Sequence, residues 1–283
     1  MELACERKTG KIYRANPWCF YEVNAPNLTD KEKDFVDSVT SLVQNGFYAT
    51  GKRAGLAEKT KKLMSSIEQY PDPEREKKAS RPILEFVKQT ASFSKHKSEL
   101  ADALAKELVG LGKLSYLLRD DDLEEIMANA PGQPIFVFDR KYGLCKTSLA
   151  FDSPEEMLSL IRRIASFTDK RVTKERPLLE ARLPDGSRIN STIPPASPKG
   201  PTITIRKFRK KPFTITDMVK NNTMTPEVAA FLWLCVEGMK TSPKNMMVAG
   251  STGCGKTTTL NALSVFIPQK ERIVTIQFVK SFH

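Results

Sequence analysis

The sequence predicts an α/β protein in three parts: a helix-rich N-terminal region at 1–118, a small α+β domain at 119–212, and the start of a phosphate-loop unit at 213–283. Three observations predict it. Leu100, Leu104, Leu108, Leu111 and Leu118 recur at helical spacing, the pattern of a core stripe. From Pro134 the period becomes that of strands, beginning with Ile135-Phe136-Val137-Phe138. Near the end an apolar run, Met246-Met247-Val248-Ala249, leads directly into a glycine-rich turn and a helical pattern.

In chain order, residues 1–26 alternate aromatic and polar positions and read as short strands. Thr29-Asp30-Lys31-Glu32 has the spacing of a capping box, opening a helix with Phe35, Val36, Val39, Leu42 and Val43 on one face. A second helix is expected from Leu56 to Tyr70, stopped by Pro71-Asp72-Pro73, and the charged stretch Arg75–Arg81 is expected as a loop. Lys141-Tyr142-Gly143 turns the first strand of the middle domain into a second near Leu144–Thr147. Ser153-Pro154-Glu155-Glu156 caps a helix reaching Phe167, with proline in its favoured first position. Leu179–Leu183 and Arg188–Ile193 flank Pro184-Asp185-Gly186-Ser187, a hairpin tip, and Thr202–Arg206 is a further strand. The basic segment Phe208–Phe213 is the expected linker. Beyond it, Thr225-Pro226-Glu227 starts an apolar helix to about Met239, and Arg272–Ile276 is expected as a strand beside Met246–Ala249.

Composition narrows the function classes. Lys+Arg number 45 against 33 Asp+Glu, a formal charge of +12, which fits nucleic acid, an anionic surface or nucleotide phosphates as partners. Cys5, Cys19, Cys145, Cys235 and Cys254 are scattered, with no C-x-x-C spacing, which argues against a zinc module or disulfide framework and for a cytoplasmic setting. The most apolar run, Val228–Met239, contains Glu237 and is too short to span a bilayer. The aromatic–glycine signature of RNA-binding modules is missing, so no specific nucleic acid is expected.

Gly250-Ser251-Thr252-Gly253-Cys254-Gly255-Lys256-Thr257 fits G-x-x-x-x-G-K-[ST], and Thr258 extends the loop into its helix. Glycines let consecutive backbone N–H groups turn inward onto phosphate oxygens, and the helix adds its positive end. Lys256 would neutralise phosphate charge and the Thr257 hydroxyl would ligate Mg²⁺. No N-K-x-D guanine-reading signature occurs, which favours ATP. After Lys256 the only carboxylate side chain is Glu271, and it precedes its expected strand, at the wrong end for a ligand beyond the strands' carboxyl ends. Hydrolysis is therefore not expected from these residues.

Leu118-Arg119-Asp120-Asp121-Asp122-Leu123-Glu124-Glu125-Ile126-Met127-Ala128-Asn129, Ala181–Asn190, Ile193-Pro194-Pro195, Thr204–Phe208 and the glycine loop together resemble the type II/IV secretion ATPases, closest to the archaeal secretion and archaellum-motor branch. The resemblance implies a helical N-terminal cap, a small α+β domain and the first part of a RecA-like P-loop domain. It implies a hexameric ring of like subunits, peripheral to the inner face of a membrane, with ATP and Mg as cofactors and a polytopic platform protein as partner. It also implies that Arg188 and Arg206 reach the nucleotide phosphates. After Ile276 the family's acidic pair is replaced by Gln277 and Phe278, so a truncated or frame-shifted, hydrolysis-deficient chain is the expected reading. The alternative is a non-catalytic module docking on a membrane platform or on full-length subunits.

Overall fold

The computed structural model describes residues 1–44, 46, 54–67, 75–168, 170–208, 212–240, 242–251 and 254–276. The chain forms two compact units, Met1–Phe208 and Arg209–His283. The expected Pro71-Asp72-Pro73 stop and half of the basic linker, residues 209–211, lie outside the described residues.

In the first unit a hairpin-linked trio, β1 (Glu2–Arg7), β2 (Gly10–Arg14) and β3 (Cys19–Val23), precedes four helices: α1 (Asp30–Gln44), α2 (Ala54–Ile67), α3 (Arg75–Thr90) and α4 (Lys97–Leu108). A short α5 (Leu114–Leu118) leads into β4 (Leu123–Ala128), β5 (Pro134–Asp139) and β6 (Gly143–Ala150). Then come α6 (Pro154–Phe167), β7 (Leu178–Arg182), β8 (Arg188–Thr192) and β9 (Thr202–Arg206). All nine strands form one sheet in the order β1-β2-β3-β6-β5-β4-β9-β8-β7. Every pairing is antiparallel except β3 against β6. The fold is thus mixed α/β.

Two apolar cores result. One packs Met157, Ile161 and Ile164 of α6 against inward positions such as Ile126, Val137, Ile189 and Ile205. The other is internal to the helices, joining Val39, Ile67, Ile83, Val87, Leu100 and Leu104. The leucine stripe therefore serves as core, although it is split: Leu100 to Leu108 lie on α4, while Leu118 ends α5. A cleft of about 840 Å³ whose mixed lining includes Lys33, Asp37, Glu107, Phe151 and Arg163 runs beside α1, α4 and α6.

Local chemistry sets the element ends. Ser153 Oγ accepts the Glu156 N–H at 3.2 Å to cap α6. At α1 the arrangement differs from a capping box. The Glu32 carboxylate accepts both the Thr29 N–H (2.9 Å) and the Thr29 hydroxyl (2.8 Å), and its other oxygen accepts Ser94 Oγ at 2.5 Å. Glu32 is buried, so the same group fastens the start of α1 to the turn after α3. The expected loop at Arg75–Arg81 is instead the start of α3. Alternation of exposed Lys78, Ser80 and Arg81 with buried Ala79 and Ile83 gives that charged stretch an inner face.

A buried ionic network holds the N-terminal strands. Arg7 Nη1 donates to Asp139 Oδ2 (2.6 Å) and Asp120 Oδ2 (3.2 Å), and Arg7 Nε lies 3.3 Å from Asp122. Asp120 Oδ2 also accepts Tyr21 OH (2.6 Å) and Thr9 Oγ1 (2.8 Å). Asp139 Oδ1 accepts the N–H groups of Lys141 and Tyr142. Asp139 is 0% exposed and Asp120 4%, so removing their cation leaves buried charge uncompensated. Burial alone would raise the Asp120 pKa. The hydrogen bonds from Tyr21, Thr9 and the Asp122 N–H, with the Arg7 charge, hold it below the usual carboxylate range.

Arg7→Met is expected to cost about 3–5 kcal/mol of stability, measured by urea unfolding at neutral pH. A carboxylate lowered in the folded state contributes stability above its unfolded pKa of about 3.9 and loses it as pH falls through the folded value. Wild-type stability should therefore drop from about pH 4 downward, and Asp120→Asn, weaker at neutral pH, should show a shallower acid limb.

Candidate functional site: a phosphate loop and an arginine row

The second unit contains α7 (Ile215–Lys220), α8 (Pro226–Glu237) and α9 (Lys256–Leu263). Thr225 caps α8 with Pro226 in the first turn, and Gly238 ends it in the left-handed conformation at φ 75°. Among the described residues this unit has no strand: neither Met246–Ala249 nor Arg272–Ile276 pairs with a neighbour. These two expectations are corrected. A strand exists only through its ladder, and here Met247 is 91% exposed and Val274 69%, with no third strand to hold them. Glu271 sits in a turn, its N–H bonded to Pro268 O at 2.9 Å.

The glycine loop is nonetheless shaped. Gly255 takes φ 90°, a left-handed turn that feeds directly into α9. A Cβ on Gly250 would fall 2.5 Å from Cys254 Sγ, so a larger residue there would require the Cys254 side chain to turn away. Lys256 folds back over the turn, donating to Gly250 O at 2.9 Å and Ser251 O at 2.5 Å, with Cys254 Sγ at 3.8 Å. Its ammonium is thus held over the loop at the start of α9, the place from which it would meet an anion. Thr257 is exposed on the first turn, and Thr258 follows it. Thr252 and Gly253 lie outside the described residues. The donor set fits a polyphosphate: backbone amides at a helix start, one lysine and adjacent hydroxyls. A nucleotide there would take Lys256 to its phosphates and leave the Thr257 hydroxyl for Mg²⁺.

Arg188 and Arg206 are brought together in the first unit. They are direct register partners on β8 and β9. The structure adds Arg182, which sequence reading missed, opposite Arg188 on β7. All three are exposed. Arg206 Nη2 reaches Glu124 only at 4.0 Å, and among the described residues no carboxylate pairs with Arg182 or Arg188. Arg182 was legible in principle, because positions equidistant from Asp185 must face each other across a hairpin centred there. The tip fixes that register: Ser187 N and Oγ both donate to Asp185, and Phe208 N donates to Ser187 Oγ at 3.0 Å.

A family model described as type II/IV secretion system protein matches residues 107–277. The chain belongs to that family. An uncharacterised protein of Methanocaldococcus jannaschii is 44% identical over 181 residues, covering 62% of this chain and 25% of the relative. The type IV secretion system protein PtlH of Bordetella pertussis is 33% identical over 184 residues, 58% of this chain and 52% of its own. The VirB11 ATPase from the Brucella suis type IV secretion system, solved in complex with sulphate, aligns with a TM-score of 0.36 and 26% identity over 56% of this chain and 52% of its own. The chain thus spans a quarter to a half of the length of these curated relatives.

Three like charges in adjacent register repel. Arg188→Gln, which removes the central one, is expected to raise stability at low ionic strength by up to about 1 kcal/mol in denaturant unfolding. The gain should shrink in about 1 M salt, where screening acts within about 3 Å.

Proposed function

We propose that this chain is the ATP-binding part of a secretion, pilus or archaellum assembly ATPase. Its loop at Gly250–Thr258 takes ATP with Mg²⁺, and its arginines, Arg188 and Arg206 with Arg182 beside them, answer phosphate charge. The observation that carries the reading is Lys256 folded over a left-handed glycine turn at the start of α9. Membership of the secretion family supports the wider assignment. On that reading like subunits form a hexameric ring at the cytoplasmic face of a membrane and act on a polytopic platform protein. No described helix is long and apolar enough to cross a membrane.

The 283 residues bind ATP without turning it over. Phosphate-loop hydrolysis needs an acidic residue for Mg²⁺ and a carboxylate for the attacking water. Glu271 is the sole carboxylate side chain after the loop, and it lies in a turn. A second reading, a non-catalytic module seated on full-length subunits, is supported by the apolar surface of α8, where Phe231, Trp233 and Leu234 are about half exposed or more.

Titration of the purified chain with a fluorescent ATP analogue and Mg²⁺ tests the proposal. Saturable binding weakened at least tenfold by Lys256→Ala is expected, since a charge-assisted contact is worth about 1.5–3 kcal/mol. Phosphate release should equal that of the same variant. Equal, negligible binding by both proteins would sink the ATP reading, and Lys256-dependent turnover would sink the claim of deficiency. Capture of full-length subunits regardless of nucleotide, in a chain that does not bind ATP, would favour the second reading.

A further inference from the structure

The seam between β3 and β6 contains two cysteines that share one register position. Cys19 lies opposite Cys145 where these strands run parallel. Matched positions on neighbouring strands point to the same face and are separated by about 4.7–4.9 Å, inside the Cα range of about 4.4–6.8 Å that a disulfide spans. Cys145 is fully buried, and Cys19 is half-buried against the same apolar cluster. In the reduced form Cys19 Sγ lies 3.8 Å from Tyr142 O and Cys145 Sγ lies 3.6 Å from Gly143 O, so each thiol rests on a carbonyl of the β5–β6 turn region. Cys5 is placed otherwise, opposite Ile12.

The position matters as much as the contact. Among the described residues only Cys19↔Cys145, Phe20↔Lys146 and Tyr21↔Thr147 join the N-terminal trio to the central strands by backbone pairing. A small apolar residue would pack as well as a thiol at either site. Two thiols meeting there add a chemistry that packing does not call for.

We propose that Cys19 and Cys145 form a reversible thiol–disulfide pair that staples β1–β3 to the central sheet when a low-molecular-weight disulfide is the oxidant. Cys19, the more accessible thiol, loses its proton and attacks one sulfur of the reagent, expelling the other as a thiolate. The Cys145 thiol then loses its proton and attacks Cys19 Sγ in the mixed disulfide, expelling the second reagent thiolate. Two protein thiols are oxidised to one disulfide, the reagent is reduced to two thiols, and the two protons end on them. Burial pushes the Cys145 thiol up to about 12, which makes the second step the slower one.

The test incubates the full chain with oxidised glutathione under native conditions, alkylates remaining thiols and maps peptides without reduction. A Cys19–Cys145 cross-linked peptide pair is expected, with a rise of several degrees in the melting temperature that dithiothreitol reverses. Cys145→Ala should abolish both effects. Cys19→Ser, at the half-exposed position, serves as the second control if the buried substitution impairs folding. Glutathione adducts without the internal link, or a link between any other cysteines, would overturn the assignment.

Discussion

One partly buried arginine adds ionic anchoring to the backbone pairing that docks the N-terminal strands. Arg7 leaves β1 and meets Asp120 and Asp139, which stand 113 and 132 residues further along the chain. Both acids have all their oxygens engaged, and each also fastens a turn: Asp120 accepts the Asp122 N–H, and Asp139 accepts those of Lys141 and Tyr142. The network therefore joins three places at once, the β1–β2 hairpin, the entry to β4 and the β5–β6 turn. A buried ion pair adds little over an apolar replacement, but breaking one partner is costly, so its main effect is to specify where β1–β3 dock. Lys207 plays a matching part from the end of β9. Its ammonium donates to the carbonyls of Leu118 and Asp120, tying the end of β9 to the same turn.

Much of this architecture was readable where its cause is local. Ser153 and Pro154 announce α6, Pro184–Ser187 announces the β7–β8 hairpin, and the β-branched run Thr202–Arg206 coincides with β9. The parallel docking of β3 on β6 was not readable, because it depends on residues more than a hundred positions apart. The start of α3 was misread because its charges mask an inner face made by Ala79 and Ile83. In the second unit the apolar segments before and after the loop have strand composition, yet composition does not supply hydrogen-bonding neighbours. The loop itself has the clearest signature in the sequence, because its turn requires glycine and its chemistry requires lysine at fixed spacing. The arginine row was two-thirds visible; the third member needed the hairpin's symmetry, not a motif.

The two basic features, the loop lysine and the arginine row, differ in how their charge is balanced. Lys256 is satisfied by carbonyls of its own loop, so a phosphate would exchange one set of acceptors for another, with stronger charge-assisted bonds as the net gain. Among the described residues the arginines have no such internal compensation apart from the distant Glu124, and their mutual repulsion persists until an anion or salt relieves it. Affinity arising from the loop should accordingly depend on geometry and tolerate salt, because its donors are fixed backbone groups and a short tether. Affinity arising from the row should fall as salt rises, because it is charge on an exposed sheet face. Removing the arginines would weaken anion binding by the row most at low ionic strength, while removing the lysine would weaken anion binding by the loop at every ionic strength.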